Sequence, residues 1–407
     1  MPIIFTDKKF NSSINLFGAW YLKHKMKSIE RNYPLFSILM LVSIIGFSQT
    51  KRARDYGIEI GVFETGSFNA ITDVKGVSVG HTTLIEGDDI RTGITAIIPH
   101  PGNIYQDKLP AAIYIGNGFG KMTGYSQVEE LGNIETPVVL TNTLSVPVAS
   151  NALISYTLEQ NGNEEVRSVN PIVGETNDAY LNDIRGRHIK EKHIFQAITH
   201  AKTGPVPEGN VGAGTGTVCF GYKGGIGTSS RKIPKSLGGY TVGVLVQTNF
   251  GGVLEINGAP IGKELNSYPY RKIILDEADG SCMMVVITDA PLSARNLKRV
   301  AKRAMMGLAK TGGIASNGSG DYVIAIATAE TNYITHNTKE LFYDSKVLRN
   351  DAVSTLFLAT IEATEEAIIN SLFAAQTMRG KENHLISSIP MSEVIRILKK
   401  YNKIKTK

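Results

Sequence analysis

The sequence is poor in cysteine, and its histidines lack the spacing of a metal site. Its 407 residues include two cysteines, Cys219 and Cys282, which is too few for a disulfide framework, so we expect buried free thiols. The eight histidines match neither a paired-ligand pattern nor an HExxH helix; His188, His193 and His200 are merely spread along one region. These absences argue against a disulfide scaffold and against a histidine metal centre.

The net charge of +6 is not concentrated on one basic face. Much of the excess lies in the first 48 residues, and more lies in the C-terminal tail from Arg396 to Lys407. A nucleic-acid binder usually carries a clustered basic surface, so we expect no nucleic-acid partner. We expect the tail to be a solvated helix end or a frayed terminus, with a polyanion or membrane-surface role as the alternative.

No apolar run is long enough to span a bilayer. The run Leu35–Phe47 falls short of the roughly 20 residues that a spanning helix needs. It follows Lys27 and Arg31 and ends in a small-x-small pattern before Gln49, which is typical of a signal peptide over residues 26–48. We therefore expect Met26 to be the true start, residues 1–25 to be an over-extended reading frame, and the product to be periplasmic or secreted. An uncleaved membrane anchor is the alternative.

Two glycine-rich segments lack the other features of nucleotide loops. Gly212–Gly216 has no third glycine in the dinucleotide register, and Gly116–Lys121 has neither Walker spacing nor a following Ser or Thr. We expect both to serve backbone geometry around a buried pocket. A Gly-x-Ser-x-Gly elbow between strand and helix is also missing, because its nearest approach, Asn317–Asp321, precedes a strand; a Ser-His-Asp triad stays open as an alternative.

The apolar pattern predicts strands and helices in mixed order, without βαβ alternation or an internal repeat. Strands are predicted at Val74–Val79, Gly93–Pro99, Ala111–Ile115, Val138–Leu140, Val166–Val173, Thr241–Gln247, Met283–Thr288 and Tyr322–Ala329. Helices are predicted at Val148–Gln160, His193–Ala201, Asn296–Lys310 and Asp351–Gln376. Residues 202–240 are predicted to be a glycine-rich bridge. This order favours an α+β fold in layers, with two sheets between helices.

The step from Gly280 to Ser281 is the most informative point in the chain. A turn-like Asp279-Gly280 leads directly into the apolar run Cys282–Ile287, so Ser281 is predicted to be the first residue of a buried strand. Such a serine can attack the preceding carbonyl, and glycine before it tolerates backbone conformations closed to other residues. Cleavage would leave Ser281 with a hydroxyl nucleophile and an α-amine of ordinary pKa about 7.7–8.0. A purely structural Gly-Ser turn is the alternative.

Ser319 and Asp321 form a second candidate pair. They stand two residues apart before the predicted strand Tyr322–Ala329, and in extended backbone such residues point to one side. A hydroxyl and a carboxylate placed in this way can reach a common neighbour, such as a serine hydroxyl or an α-amine. A polar turn that caps the strand is the alternative.

Taken in order, these segments resemble the DmpA-type aminopeptidases, which comprise L-aminopeptidase/D-amidase-esterases and β-peptidyl aminopeptidases. The resemblance extends from about Ile71 to Gln376. It rests on the joint order of Ile71–His81, Tyr114–Lys121, Val173–Asp178, Leu181–Asp183, Gly212–Gly216, Lys223–Thr228, Val246–Asn249, Gly280-Ser281, Thr288–Leu292 and Ser319–Asp321. Some members carry Glu where this chain has Asp321, and some carry Tyr where it has Asn177.

The resemblance implies a four-layer αββα sandwich similar to N-terminal nucleophile hydrolases, with different strand connectivity. It implies a single catalytic domain over residues 49–407 that cuts itself into an α chain, 49–280, and a β chain, 281–407. It assigns Ser281 as the nucleophile, Ser319 and Asp321 to its orientation, Asn249 as an oxyanion donor, and Glu175 to the substrate's free ammonium. No cofactor is implied.

We therefore expect a secreted, self-processed serine aminopeptidase that acts on a small L-, D- or β-residue at the N-terminus of peptides, amides or esters. Its partners would be a short peptide or amino-acid amide and further copies of itself, a homo-oligomer of α/β heterodimers, without stable membrane association after signal removal. Two alternatives remain. One is an acyltransferase of the self-cleaving ornithine acetyltransferase type, which uses threonine. The other is a non-enzymatic envelope binding protein with an uncut chain.

Overall fold

The computed structural model describes residues 51–268, 280–336 and 338–405. The predicted leader over residues 1–48 and the turn residues 277–279 therefore lie outside the described part of the chain. Residues from Thr50 onward form one compact unit. No helix within the described ranges has the length and apolarity required to cross a bilayer.

Fifteen strands lie in the described residues. In chain order they are β1 Ser78–Glu86, β2 Ile90–Ile98, β3 Asp107–Gly118, β4 Asn133–Ile134, β5 Val138–Asn142, β6 Ile172–Thr176, β7 Val218–Cys219, β8 Tyr222–Lys223, β9 Ile226–Lys232, β10 Thr241–Asn249, β11 Ser281–Thr288, β12 Gly320–Ala327, β13 Ile334–Thr335, β14 Met378–Arg379 and β15 Leu385–Ile386. Seven α-helices accompany them: α1 Tyr125–Leu131, α2 Val146–Leu158, α3 Glu191–Thr199, α4 Ile261–Glu264, α5 Ala294–Lys310, α6 Ser354–Ala374 and α7 Met391–Lys400.

The strands form two main sheets. The smaller sheet has the order β1-β2-β5-β6, and the larger has the order β13-β3-β12-β11-β10-β9, with β4 added beside β3. At the centre of the larger sheet, β11 pairs antiparallel with β10 and parallel with β12. Every residue of β10, β11 and β12 is buried, as expected for strands covered on both faces.

Helices cover the outer face of each sheet. Helices α5 and α6 pack on the larger sheet, and α2 and α3 pack on the smaller one. Along β11 the side chains alternate, so Cys282, Met284 and Val286 join the core under α5 and α6. Met283, Val285 and Ile287 join the core that includes the facing sheet. The result is the predicted α+β sandwich with the layers α, β, β and α, and the prediction of fold class is confirmed.

Three local predictions were wrong. The bridge over residues 202–240 contains strands β7, β8 and β9, because the polar residues of β9 are buried by partners distant in sequence and leave no apolar pattern. The strand predicted over residues 166–173 begins only at Ile172, and the one predicted from Val74 begins at Ser78. The expectation of a solvated helix end in the C-terminal tail is confirmed, since α7 ends in the exposed Lys399 and Lys400 and its other face buries Val394, Ile397 and Leu398.

Candidate active site

Ser281 is the first residue of β11, as the sequence predicted, and is 6% exposed. In the sheet it faces Asn249 on β10 and Gly320 on β12. The backbone N–H of Gly320 donates to the Ser281 hydroxyl across 3.2 Å and to the carbonyl oxygen of Gly280 across 3.1 Å. One donor thus holds the hydroxyl beside the carbonyl of the preceding peptide and polarises that carbonyl.

The space around Gly280 admits no side chain. A Cβ at this position would lie 2.7 Å from Cα of Phe250 and 3.0 Å from the carbonyl oxygen of Asn249. Any larger residue would push the peptide between residues 280 and 281 away from β10.

Asn249 ends β10 directly opposite Ser281 and is 8% exposed. Its side-chain oxygen accepts a hydrogen bond of 2.9 Å from the backbone N–H of Val218. That bond fixes the amide so that its oxygen is engaged and its NH2 group remains as the donor. Asn249 and Ser281 lie on the same face of the sheet, since directly paired residues of neighbouring strands share a face.

Asp321 lies one residue further along the sheet than Ser281 and on its opposite face, and Ser319 directly precedes β12. Asp321 pairs with Cys282, so its side chain points toward α5 and α6, away from the Ser281 hydroxyl. The backbone nitrogen of Ser281 lies in the plane of the sheet, between these two faces. The backbone N–H nearest the Asp321 carboxylate is that of Cys282, the residue after Ser281.

Both members of this pair are fully buried, and within the described residues neither side chain has a hydrogen-bond partner of good geometry. Burial raises the pKa of Asp321 to about 6, although the nearby Ser319 hydroxyl and Cys282 N–H oppose the shift. Buried polar groups are usually paired, so the long contacts between these groups are unusual for a buried carboxylate.

Glu175 reaches the site from the other sheet, where it is the fourth residue of β6. One carboxylate oxygen accepts a hydrogen bond of 2.9 Å from the backbone N–H of Lys121, and the other accepts a hydrogen bond from the Thr143 hydroxyl. A Cβ at Gly120 would lie 3.2 Å both from this carboxylate and from Cα of Gly320, which shows how near Glu175 is to β12, the strand that pairs with β11. Burial raises the pKa of Glu175, while its two hydrogen bonds and the Lys121 charge oppose the rise.

The cysteines, the glycine-rich segments and Asn177 are the other residues singled out in the sequence. Cys219 and Cys282 are buried free thiols, as predicted. Gly212–Gly214 forms a 3₁₀ turn packed against the smaller sheet, and Gly118 ends β3 beside the site. The Asn177 side chain caps the N–H of Ala179 from an exposed position. No group of three His, Cys, Asp or Glu side chains suited to a metal occurs among the residues described.

Sequence reasoning missed the contribution of main-chain groups. The N–H groups of Gly320, Val218 and Lys121 respectively hold Ser281, Asn249 and Glu175. A backbone donor has no side-chain signature, so these partners become visible only once the sheet register is known. Thr143 was also missed, because it lies 32 residues from Glu175 in sequence.

Comparison with known proteins agrees with this geometry. A model of peptidase family S58 matches residues 69–386. The chain is similar to the β-peptidyl aminopeptidase BapA of Sphingosinicella microcystinivorans, with 39% identity over 91% of this chain and 98% of that protein. It is also similar to a β-aminopeptidase from Burkholderia sp., with 38% identity, a TM-score of 0.79, and coverage of 86% of this chain and 99% of that one.

A third similarity is to the L-aminopeptidase D-Ala-esterase/amidase of Ochrobactrum anthropi, described as a prototype for serine aminopeptidases and a variant of the Ntn hydrolase fold. Its identity is 34% and its TM-score is 0.80, with coverage of 87% of this chain and 99% of that one. The three similarities extend over nearly the whole length of each relative.

Proposed function

The chain belongs to peptidase family S58, and from that membership we propose that it is a self-processed serine aminopeptidase with Ser281 as its nucleophile. The observation that carries the proposal is the shared donor at Gly320, which holds the Ser281 hydroxyl next to the carbonyl of Gly280. The names of the relatives, which include β-peptidyl and L-aminopeptidases, support peptides with a free N-terminus as substrates.

Self-processing begins when the Ser281 hydroxyl oxygen attacks the carbonyl carbon of Gly280. The bond between that carbon and the Ser281 nitrogen breaks, the nitrogen takes up the hydroxyl proton, and an ester links Gly280 to Ser281. Water then hydrolyses the ester, which leaves a carboxylate on Gly280 and restores the hydroxyl of Ser281. The Gly320 N–H stabilises the negative charge that develops on the Gly280 oxygen during attack.

The new α-amine of Ser281 provides the polar group that Asp321 and Ser319 lack in the uncut chain. When protonated, the amine pairs with the Asp321 carboxylate and donates a hydrogen bond to the Ser319 hydroxyl. When neutral, it can accept a hydrogen bond from that hydroxyl. Both side chains were orphaned and buried before the cut, so cleavage relieves an unfavourable arrangement. The amine then serves as the general base for the hydroxyl.

In turnover the Ser281 hydroxyl attacks the carbonyl carbon of the substrate's first residue while its proton passes to the α-amine. The Asn249 NH2 group donates a hydrogen bond to the developing oxyanion. When the carbonyl reforms, the substrate's C–N bond breaks and an acyl ester remains on Ser281. The departing amine takes the proton from the α-ammonium. Water then gives a proton to the α-amine of Ser281 and attacks the ester carbonyl. The acid product leaves, and the proton returns to the Ser281 oxygen to restore the hydroxyl.

Glu175 selects substrates with a free N-terminus by pairing with their ammonium group. Each of its oxygens already accepts one hydrogen bond, which holds the carboxylate in place and leaves further lone pairs for the substrate. Such a charge-assisted contact is worth about 1.5–3 kcal/mol. We also propose export through the leader at residues 26–48 and assembly into a homo-oligomer of α/β heterodimers.

Acyl trapping tests the function directly. The protein is mixed with the p-nitrophenyl ester of β-alanine, quenched in acid within one turnover, digested and analysed by mass spectrometry. A β-alanyl adduct on the peptide that begins at Ser281 is expected. Turnover with the adduct on another residue, or with no covalent intermediate in a burst experiment, would contradict the proposed nucleophile.

A further inference from the structure

A lysine side chain is buried near the site and donates to backbone carbonyl oxygens. Lys223, on β8, is fully buried, and its Nζ donates to two carbonyl oxygens, those of Gly214 at 2.9 Å and Gly224 at 2.8 Å. Among the described residues no acidic side chain forms an ion pair with it. Burying an amine in this way is costly, and an apolar residue of equal volume would avoid that cost.

Lys223 lies opposite the residue that binds the side-chain amide of Asn249. Lys223 pairs across the β7–β8 hairpin with Val218, and the N–H of Val218 is the group that holds the Asn249 side-chain oxygen at 2.9 Å. The hairpin therefore carries the lysine on one strand and the partner of Asn249 on the other. A displacement of the hairpin would rotate the Asn249 amide away from Ser281.

The carbonyl of Gly214, one of the two acceptors of Lys223, belongs to a different part of the fold. Gly214 ends the 3₁₀ turn that packs against the smaller sheet, and its carbonyl accepts from both Lys223 Nζ and the Thr217 hydroxyl, the latter at 3.1 Å. Through these bonds the hairpin beside the larger sheet is tied to a turn attached to the smaller one. The hairpin that carries the hydrogen-bond partner of Asn249 is therefore linked to the smaller sheet.

We propose that Lys223 is a positioning residue, which holds the β7–β8 hairpin so that the Asn249 amide is aimed at the carbonyl oxygen bound at Ser281. The inference rests on the role proposed for Asn249. Among the described residues, the Cys219 thiol and the Asp178 carboxylate are the ionisable groups that favour the charged form of Lys223. Burial lowers the pKa of Lys223 to about 7 against the influence of these two groups. An amine and an ammonium both carry the two N–H groups that the carbonyls require, so the hairpin is held in either state.

The test is a double-mutant cycle on processed enzyme with alanyl p-nitroanilide. Lys223→Met keeps the side-chain volume and removes the amine. Because a misplacement of about 1 Å can cost about 100-fold, we expect kcat to fall about 10- to 100-fold with KM within about 2-fold. The matched control is Lys232→Met, an exposed lysine at the end of β9 in the same sheet, which should keep wild-type kcat.

The decisive comparison is made in an Asn249→Ala background. If Lys223 acts through Asn249, adding Lys223→Met there should change kcat by less than about 2-fold. If the kcat loss of the double variant equals the product of the two single losses, the proposal is overturned and Lys223 contributes only to general stability. A normal kcat in Asn249→Ala alone would instead refute the oxyanion role, so the two failures are distinguishable. If Lys223→Met is insoluble, Thr217→Val enters the same cycle and should lose about 3- to 10-fold only when Asn249 is present.

Discussion

The backbone N–H of Gly320 lies within 3.2 Å of the Ser281 hydroxyl oxygen, although the two residues are 39 positions apart in sequence. The parallel pairing of β11 with β12 creates this contact, because Ser281 and Gly320 are register partners. The same N–H also binds the Gly280 carbonyl. The Ser281 hydroxyl and the carbonyl of the preceding peptide are thereby brought together, which is the arrangement that the proposed self-cleavage requires.

Replacing Asn249 with alanine should reduce turnover strongly and binding weakly. The amide contributes its NH2 group only when charge develops on the substrate oxygen, so its loss should lower kcat by about 10²–10³-fold with little change in KM. Steady-state kinetics with alanyl and β-alanyl p-nitroanilides on processed enzyme make the measurement. An increase in KM alone would show that Asn249 binds substrate and does not stabilise the oxyanion.

Replacing Asp321 with asparagine should have opposite effects on the uncut and the cut chain. In the uncut chain, made with Ser281→Ala, burial raises the pKa of Asp321 from 3.8 to about 6. The stability associated with this group is therefore present below pH 3.8 and lost as the pH rises through about 6. At pH 8 the ionised carboxylate costs up to about 3 kcal/mol, so Asp321→Asn should raise the Tm there and leave it unchanged below pH 3.8.

In the cut enzyme the same substitution removes the partner of the α-ammonium, so it should lower both the Tm and kcat at pH 8. Asp88→Asn, an exposed carboxylate between β1 and β2, provides the control and should alter neither quantity. A lower Tm for Asp321→Asn in the uncut chain at pH 8 would show that Asp321 already has a favourable partner before cleavage.

Glu175→Gln should weaken the preference for a free N-terminus. Alanyl p-nitroanilide should be cleaved and its N-acetyl form rejected, and the variant should lose about 10- to 150-fold of that discrimination, mainly in kcat/KM. Glu130→Gln, an exposed residue of α1, should retain it. Equal hydrolysis of the two substrates by the unmodified protein would replace the aminopeptidase assignment with a general amidase or esterase.

Thr143→Val should shift the acid limb of the pH profile upward. The Thr143 hydroxyl stabilises the ionised form of Glu175, whose pKa is already raised by burial. Without that donor the carboxylate protonates at a higher pH, so kcat/KM for a substrate with a free ammonium should begin to fall at a higher pH than in the wild type. An acid limb that does not move would indicate that another group sets it.

Much of the fold could be predicted from apolar runs alone. The central strands β10, β11 and β12 and the helices α5 and α6 are strongly patterned because each buries at least one continuous apolar face. Strand β9 could not be found in this way. Its buried Ser229, Ser230 and Arg231 are satisfied by groups remote in sequence, such as Glu362 on α6, and a buried polar strand looks like a loop.

The site residues could be named from sequence, but their geometry could not. Ser319 directly precedes β12 and its hydroxyl lies near the Asp321 carboxylate, as the two-residue spacing predicted. Which face of the sheet the carboxylate occupies depends on the pairing of Asp321 with Cys282, and only the structure gives that register. The buried amine of Lys223 was equally hidden, since its glycine-rich surroundings predict a loop at the surface.

The central claim is that Ser281 cuts the chain at its own N-terminal side. Purified full-length protein should give two chains on a denaturing gel, and N-terminal sequencing of the smaller one should read Ser-Cys-Met-Met. Ser281→Ala should remain a single chain under the same conditions. An uncut wild-type chain that still hydrolyses alanyl p-nitroanilide, or an alanine variant that is still cut between residues 280 and 281, would contradict the account.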